Sequence, residues 1–396
     1  MTIRFLITNA YGGGGTIHTT LTMASALARR GHDVEVASVF RRRGRPLFPV
    51  DPAVRLRALV DRRDRPDPSG SLDVRARVRS RLRRTRSRLI HHDDSRYRRF
   101  DADTDVALWR YLRSLRGGVL ITTRVGLNLA AARFVHPGVV RVGQEHVYLE
   151  RHSAALRAAF VRHYPLLDAV VTLTEQDADA YRTLLGDSTR VLAIPNALPE
   201  QEPGRATPDH DARVAIAAGR LTHPKGFDLL IDAWGAVAFA HPEWRLRIFG
   251  RGGARKQLER RIRVAGLDEQ VQLLGFTTTL QRQLASSSMY VMSSRFEGFS
   301  MVLLEAMGCG LPVISFDCPT GPAELIDDGV TGLLVPNGSV DDLARGINRL
   351  IDDPGLRRRL GRAALQASAE YATDRIAERW EALFAQLGAG KATSGG

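Results

Sequence analysis

The chain has 396 residues, of which 44% are hydrophobic and 25% are charged. This composition excludes a disordered chain, and the length predicts two domains. No stretch of 18 consecutive apolar residues occurs, so we predict no transmembrane helix, and the N-terminus lacks the features of a signal peptide. The two cysteines, Cys309 and Cys318, are too few for a disulfide scaffold or a cysteine zinc site, which favours a cytoplasmic protein.

Positive charge is concentrated in the first half of the chain. The formal net charge is +14, and residues 1–200 carry 34 arginines against 20 acidic residues. Residues 201–396 carry 23 basic and 23 acidic residues, so they contribute no net charge. We therefore expect the first half to face an anionic partner.

The first half alternates strands with helical patterns, which is typical of βαβ units around a parallel sheet. A glycine-rich loop, Gly12–Gly15, separates the first strand from a helix at 17–30. The predicted strands are residues 3–8, 34–40, 54–59, 119–122, 139–144, 169–174 and 191–194. These patterns predict a first domain over residues 1–196.

A segment rich in proline and charge, 197–212, is predicted to be a linker, and the second half then repeats the same alternation. We expect a second domain over 213–372, a last helix at 373–387 that crosses back to the first domain, and a disordered tail at 388–396. The predicted strands are 214–218, 245–249, 271–274, 289–293, 313–316 and 332–335. The predicted helices are 226–240, 254–265, 301–309, 339–352, 356–370 and 373–387. Two doubly wound α/β domains result, and their ligands are expected at loops that follow strands.

The glycine loop is the first candidate site. Glycines let backbone amides approach a phosphate or a sugar, and the helix that follows favours an anion at its N-terminus. A flexible turn is the alternative. The loop does not match a dinucleotide fingerprint, and Arg41–Arg43 follow the second strand where a ribose-binding acid is needed, so a dinucleotide oxidoreductase is disfavoured.

A second candidate loop carries Arg220 and Lys225, between strand 214–218 and helix 226–240. Two cations there form a cradle suited to a diphosphate. A single arginine is weak evidence in a chain so rich in arginine. Lys225 is more informative because the chain has only three lysines.

The third candidate is a pair of glutamates, Glu297 and Glu305, on the loop and helix after strand 289–293. Their carboxylates suit sugar and ribose hydroxyls, and Gly298–Ser300 leave backbone amides free at the start of the helix. Solvated surface glutamates are the alternative. The apolar helix between them is expected to be buried, however, and a buried glutamate needs a partner.

Together these loops resemble those of retaining glycosyltransferases of family 4. The resemblance spans nearly the whole chain and implies the GT-B fold, in which two Rossmann-like doubly wound domains face each other across a cleft. The segment Phe316–Pro322 is most similar to that of enzymes that build surface polysaccharides. Other segments that fit the family are Arg30–Val34, Leu173–Gln176, Ile194–Asn196, Phe316–Glu324 and Gly329–Pro336.

The resemblance implies a role for each candidate residue. Arg220 and Lys225 are implied to hold the donor diphosphate, and Glu305 the nucleotide ribose. Glu297 is implied to bind the donor sugar near its anomeric carbon and to act in catalysis. His146 matches a family position beside the reacting sugar and is the second catalytic candidate, although a lone histidine is more often structural. Further donor contacts are implied for Gly13, Gly14, Gly275, Phe276, Phe299, Ser300, Met301 and Val302.

The implied chemistry needs no metal and no cofactor, because cations and helix N-termini stabilise the charge that develops on the diphosphate. The acidic runs Asp101–Asp105 and Asp177–Asp179 precede or lie within predicted helices, so we interpret them as surface charge. Front-face attack, with a leaving phosphate oxygen accepting the acceptor's proton, is favoured over a covalent intermediate on Glu297.

The charge excess peaks in residues 75–99, which carry 11 arginines and two aspartates. We predict a basic helical segment over 72–99 that binds the anionic inner surface of the membrane, with a solvated helix as the alternative. No nucleic acid partner is expected, because no recognised motif is present and aromatic residues are only 7%. The apolar face of the segment would comprise Val74, Val78, Leu82, Leu89 and Ile90.

The expected function is a retaining, metal-independent transfer of a sugar from a nucleotide-sugar donor, preferably a UDP-sugar. The expected acceptor is a glycan, a lipid-linked molecule or a cell-envelope polymer, and the expected location is the cytoplasm, including the inner face of the membrane. One alternative is another GT-B enzyme, such as a sugar-nucleotide epimerase or a phosphorylase-like enzyme. The other is a non-catalytic protein that binds anionic membranes or nucleic acid.

Overall fold

A computed structural model of the protein describes residues 1–63, 81–199 and 208–388. The chain forms two compact units, Met1–Ala197 together with the last helix, and Leu198–Ala372. Each unit is built on one parallel sheet with helices between most of its successive strands. The predicted fold class, two Rossmann-like α/β domains, is confirmed.

The sheet of the first unit has the order β3-β2-β1-β4-β5-β6-β7. Ile3 of β1 lies opposite Val34 of β2 on one side and Val119 of β4 on the other. The strands are β1 (Thr2–Ile7), β2 (Asp33–Arg41), β3 (Arg55–Asp61), β4 (Val119–Thr122), β5 (Val140–Gln144), β6 (Ala169–Thr172) and β7 (Val191–Ala193).

The sheet of the second unit has the order β10-β9-β8-β11-β12-β13. Ile216 of β8 lies opposite Tyr290 of β11. The strands are β8 (Val214–Ala218), β9 (Arg245–Phe249), β10 (Val271–Gly275), β11 (Met289–Met292), β12 (Val313–Asp317) and β13 (Leu333–Pro336).

Helices cover both faces of each sheet. Those that precede the second unit are α1 (Gly15–Arg29), α2 (Ala102–Ser114), α3 (Val125–Phe134), α4 (Ala154–His163) and α5 (Glu175–Leu185). The second unit has α6 (Phe227–Ala240), α7 (Arg255–Val264), α8 (Leu280–Ala285), α9 (Met301–Gly308), α10 (Pro322–Leu325), α11 (Val340–Asp352) and α12 (Pro354–Ser368). The last helix is α13 (Thr373–Gln386).

The central strands are buried on both faces, which is why their sequences are nearly continuous apolar runs. Every residue of β4, β6, β8 and β11 is buried. Helix α13 packs Ile376, Trp380 and Phe384 into the core of the first unit. Glu381 of the same helix accepts hydrogen bonds from Arg30 on both carboxylate oxygens, at 3.1 and 2.8 Å.

Each sheet reverses its strand order beside its first strand, between β1 and β4 and between β8 and β11. Ligands of open α/β sheets bind in the crevice outside the carboxyl ends of the strands at such a reversal. The loops after β1, β4, β8 and β11 therefore define where a site is expected in each unit.

The predicted strands are present with ends shifted by at most two residues, but the helical prediction for 72–99 is wrong over residues 85–96. Residues 64–80, which include Val74 and Val78, lie outside the described chain, and so do 200–207 of the predicted linker and 389–396 of the predicted tail. The α-helical residues end at 84, residues 85–96 form turns with one β-bridge at Arg86, and Tyr97–Arg99 form a single turn of 3-10 helix. The reason is that Asp105 accepts hydrogen bonds from the backbone amides of Arg88 and Leu89 at 2.7 and 3.2 Å, and Ile90 is buried in the core.

Candidate functional site

The loops after β8 and β11 bring Lys225 and Glu297 together. The ammonium of Lys225 forms an ion pair with Oε1 of Glu297, and Ser294 Oγ donates to the same oxygen at 2.6 Å. The Glu297 side chain is 9% exposed. None of the described residues donates a hydrogen bond to Oε2 of Glu297, so this second oxygen is available to a ligand hydroxyl.

The backbone of Glu297 is fixed by the segment that follows β12. The amide of Glu297 donates to the carbonyl of Pro319 at 2.8 Å. In return, Thr320 donates to the carbonyl of Glu297 through its amide at 2.9 Å and its hydroxyl at 3.0 Å. The segment 316–324 therefore positions the carboxylate.

The two loops pack so closely that position 226 must be glycine. Gly226 has a φ of 62°, and a Cβ there would lie 1.8 Å from the carbonyl oxygen of Ser293. Arg295 also crosses between the loops, donating to the carbonyl of His223 at 2.8 Å and to both oxygens of Asp228 at 2.8 and 2.7 Å. The Lys225–Glu297 pair therefore sits on a rigid frame.

The N-terminus of α9 provides unpaired backbone amides beside this pair. Its N-cap, Ser300, makes no side-chain capping bond, and no acidic residue occupies the first turn. Phe299 and Ser300 are buried, while Met301 and Val302 are half-buried. A helix start with free amides and no acidic neighbour favours an anion.

Glu305 lies half-buried on the same helix, and its carboxylate has no hydrogen bond or ion pair with a described residue. Burial raises the pKa of Glu305 to about 7. The partner expected for this glutamate is therefore not found among the described residues. A ligand hydroxyl is the natural partner for such a carboxylate, because polar groups withdrawn from water are costly to leave unpaired.

Of the remaining donor candidates of the second unit, Arg220 and Phe276 are exposed and Gly275 is half-buried. Arg220 lies on the Lys225 loop and makes no ion pair with a described residue. Gly275 ends β10 with a φ of 79°. Phe276, which follows, is 61% exposed, and the guanidinium of Arg251 lies 5.9 Å from the centre of its ring.

In the first unit, the glycine loop leads directly into α1. Gly13 and Gly14 are exposed, and Gly14 is the N-cap of the helix with a φ of 133°. No acidic residue lies in the first turn of α1. Its geometry is that of a helix start open to an anion.

His146 follows β5 in the first unit, and its Nε2 is buried without a hydrogen-bond partner in the described chain. Burial lowers the pKa of His146 to about 3, and the positive charge of Arg124 contributes. The imidazole is therefore neutral at physiological pH, so it can exchange hydrogen bonds with a ligand but brings no charge.

The neighbouring residue, Glu145, was not among the candidates predicted from the sequence. It is 2% exposed, accepts a hydrogen bond from Asn128 Nδ2 at 2.8 Å and another from the hydroxyl of Tyr164. Burial raises the pKa of Glu145 to about 8. Its position directly after a buried strand was the sequence feature that could have identified it. Its hydrogen bonds with Asn128 and Tyr164 hold the end of β5, which carries His146.

The two acidic runs are structural elements. Asp101 caps α2, accepting from the amide of Thr104 at 3.0 Å. Asp177 is buried and accepts from the amide of Leu149 at 2.9 Å, so its interpretation as surface charge is wrong. Across the described ranges, one group of three side chains lies close enough to share a metal ion: His91, His92 and Asp93 in the first unit, none of them a predicted site residue.

Two family models match consecutive parts of the chain. The family described as "Glycosyltransferase Family 4" matches residues 13–202, and "Glycosyl transferases group 1" matches residues 200–367. No helix in the described part of the chain is both long and apolar enough to cross a bilayer.

Individual relatives agree with these matches. An exopolysaccharide phosphotransferase of Streptomyces coelicolor is 37% identical over 98% of this chain, which spans only 41% of that protein's length. An amylovoran biosynthesis glycosyltransferase of Erwinia amylovora is 29% identical over 95% of this chain and 97% of its own. Among solved structures, a TarM variant of S. aureus in complex with fondaparinux, alpha-GlcNAc-glycerol and UDP has a TM-score of 0.77 at 17% identity, covering 97% of this chain and all of that one.

Proposed function

Because the chain belongs to the GT-B glycosyltransferases of the surface-polysaccharide type, we propose that it transfers a sugar from a UDP-sugar to a glycan or cell-envelope polymer, with retention and without a metal ion. The observation that carries the proposal is the contact of Lys225 with Glu297 at the carboxyl edge of the second sheet. A cation, a carboxylate with one free oxygen and a helix start then lie on two adjacent loops.

The donor assignment rests on what these groups can bind. Lys225, Arg220 and the first amides of α9 suit the two phosphates. The unpaired carboxylate of Glu305 suits ribose hydroxyls, and the exposed ring of Phe276 suits a base. Uridine is favoured because UDP is bound in the S. aureus TarM structure.

The arrangement around Glu297 supports front-face attack. A carboxylate that already accepts from Lys225 and Ser294 through one oxygen is a weakened nucleophile, so a covalent glycosyl intermediate is disfavoured. In the front-face route, the bond from the anomeric carbon to the phosphate oxygen breaks and the acceptor oxygen bonds to the same face. The departing phosphate oxygen takes the acceptor's proton, so all atoms balance.

Metal independence is proposed because the charge leaving with the diphosphate can be neutralised by protein groups. Cations and amides aimed at developing charge contribute about 10²–10³-fold each where one such donor has been removed from an enzyme. Lys225, Arg220 and the start of α9 supply such groups at the carboxyl edge of the second sheet.

The proposal is tested by thermal unfolding with UDP, GDP and ADP in EDTA, followed by transfer assays. A ligand at 100 times its Kd stabilises by about 2.7 kcal/mol, and each kcal/mol raises Tm by about 2–4 °C in domains of this size. We expect a shift with UDP in EDTA, a smaller one in Glu305→Gln, and retention at the anomeric carbon by NMR of the product. A Tm shift that requires Mg²⁺ would refute metal independence, and a product with inverted anomeric configuration would refute retention.

A different outcome would favour another reaction. Transfer of a phosphoryl-sugar group, detected as UMP in place of UDP among the products, would point to the activity in the name of the S. coelicolor relative. Release of UDP is the outcome that glycosyl transfer requires.

A further inference from the structure

The carboxyl edge of the first sheet carries a row of unpaired arginines, which we call the arginine strip. Each is exposed and makes no ion pair or side-chain hydrogen bond with a described residue. The strip consists of Arg81, Arg84, Arg86, Arg88, Arg98 and Arg99.

Side-chain contacts fix the path of the segment that bears the strip. At its start, Arg86 forms a β-bridge with Asp101, whose carboxylate binds Arg62 at the end of β3 at 2.6 Å. Further along, Asp94 accepts from Arg124 and from the amide of Gly126, both at 3.0 Å, where α3 starts after β4. The segment therefore runs along the carboxyl edge from β3 to β4.

A further bond extends this path. Asp93 accepts from Ser153 Oγ at 2.5 Å, and Ser153 caps α4, which follows β5. Open α/β sheets bind their ligands at this edge.

The acidic residues that the structure describes near the strip bind other groups. Asp93 and Asp94 bind Ser153 and Arg124, while Asp105 binds backbone amides and Ser87 Oγ. Asp103 pairs with Arg83, which is not part of the strip. The strip is therefore exposed to solvent and is not paired with any acidic residue of the described ranges.

The described part of this segment, residues 81–99, lacks an exposed apolar surface for insertion into a bilayer. Ile90 is 3% exposed and packs in the core together with the partly buried Leu89. In the described residues 81–99 no large hydrophobic side chain is exposed. Amphipathic binding to a membrane surface requires such a face, so charge alone must select the partner.

We propose that the arginine strip binds the acceptor, and that this acceptor is a polymer with an anionic group in its repeating unit. The proposal rests on the proposed function, because it assigns the acceptor class of the same enzyme. Arginine's planar fork of donors suits phosphodiester and carboxylate oxygens alike. A row of such forks along the edge of the sheet matches a chain with repeated anionic groups better than a single small anion.

The test compares two variants with equal loss of charge. The strip variant is Arg84→Gln/Arg86→Gln/Arg88→Gln, and the control variant is Arg359→Gln/Arg362→Gln/Arg379→Gln, whose arginines are also exposed and make no ion pair with a described residue. Binding is measured with fluorescent poly(glycerol phosphate) and alginate, with dextran as the neutral polymer, and with duplex DNA and phosphatidylglycerol vesicles. Tm with UDP is measured on the same samples.

We expect poly(glycerol phosphate) or alginate to bind the wild type and the control variant equally, more weakly at high salt. The strip variant should bind about tenfold more weakly, since three charge-assisted contacts are lost. Equal weakening in both variants, binding only to vesicles, or tighter binding of duplex DNA than of either polymer would overturn the proposal. If UDP raises Tm but no polymer binds, acceptor binding by the arginine strip alone is refuted. If a polymer binds but no nucleotide raises Tm, the proposed function is refuted.

Discussion

The contact of Lys225 with Glu297 allows structure and catalysis to be separated by mutation. Lys225→Met removes the ammonium group and keeps the length of the side chain. Glu297 is 9% exposed, so the loss leaves a mostly buried carboxylate with the Ser294 hydroxyl alone. Leaving a buried polar group without its partner costs about 1–3 kcal/mol, and a charged group costs more, while each kcal/mol lowers Tm by about 2–4 °C.

The same substitution should slow the reaction by a separate route. If Lys225 stabilises the leaving diphosphate, its loss lowers kcat by about 10²–10³-fold, or about 2.7–4 kcal/mol. The assay is release of UDP at saturating donor and acceptor, measured together with Tm. The expected result is a fall in both quantities.

The double variant Lys225→Met/Glu297→Gln decides between the two roles. Removing the carboxylate charge relieves the unpaired ion, so Tm should recover towards that of the wild type, while kcat should stay about 10²–10³-fold below that of Glu297→Gln alone. A kcat equal to that of Glu297→Gln alone would refute the reasoning, because Lys225 would then act only as the counter-ion of Glu297.

Three further predictions concern single positions. Gly226→Ala should unfold the second unit or lower its Tm by more than any surface substitution does, because the new Cβ would lie 1.8 Å from a carbonyl oxygen. The control is Gly235→Ala, at a position with open space around it, and it should leave Tm unchanged or slightly higher. Since the pKa of Glu305 is about 7 and ribose hydroxyls need its ionised form, UDP affinity should rise about tenfold from pH 6 to pH 8, and titration calorimetry should show a flatter profile for Glu305→Gln. Burial raises the pKa of Glu145 from 4.5 to about 8, so between these pH values the folded state holds a proton that the unfolded state has lost. As the pH rises from 5 to 8, the Tm of the wild type should therefore fall relative to that of Glu145→Gln. Parallel plots of Tm against pH for the two proteins would contradict this.

The sequence was sufficient for the sheets and for the placement of Glu297 after a strand, because both depend on local patterns. Buried parallel strands are apolar runs, and a glutamate directly after such a run must lie at the carboxyl edge of a sheet. The partner of Glu297 could not be read from any pattern. Lys225 is 72 positions away in the chain, and only the adjacency of β8 and β11 brings the two side chains together.

The arginine-rich segment shows where a prediction from sequence patterns fails. Hydrophobic periodicity predicted a helix through residue 99, but periodicity does not register hydrogen bonds from side chains to distant backbone amides. Asp105 and Asp94 hold the segment in turns through such bonds. Asp177 was misjudged for the same reason, since its partner is the amide of Leu149.

The carboxyl edges of the two sheets differ in how their charge is arranged, and the difference has kinetic consequences. At the edge of the second sheet, Lys225 and Glu297 are fixed by neighbours within hydrogen-bond reach, which suits a small ligand held in one geometry. At the edge of the first sheet, the arginine strip is exposed and has no ion pair with a described residue, which suits a long ligand held by screened charge. Changes at Lys225 should therefore alter kcat at any salt concentration. Changes in the strip should alter the KM for the acceptor, and this effect should shrink as ionic strength rises.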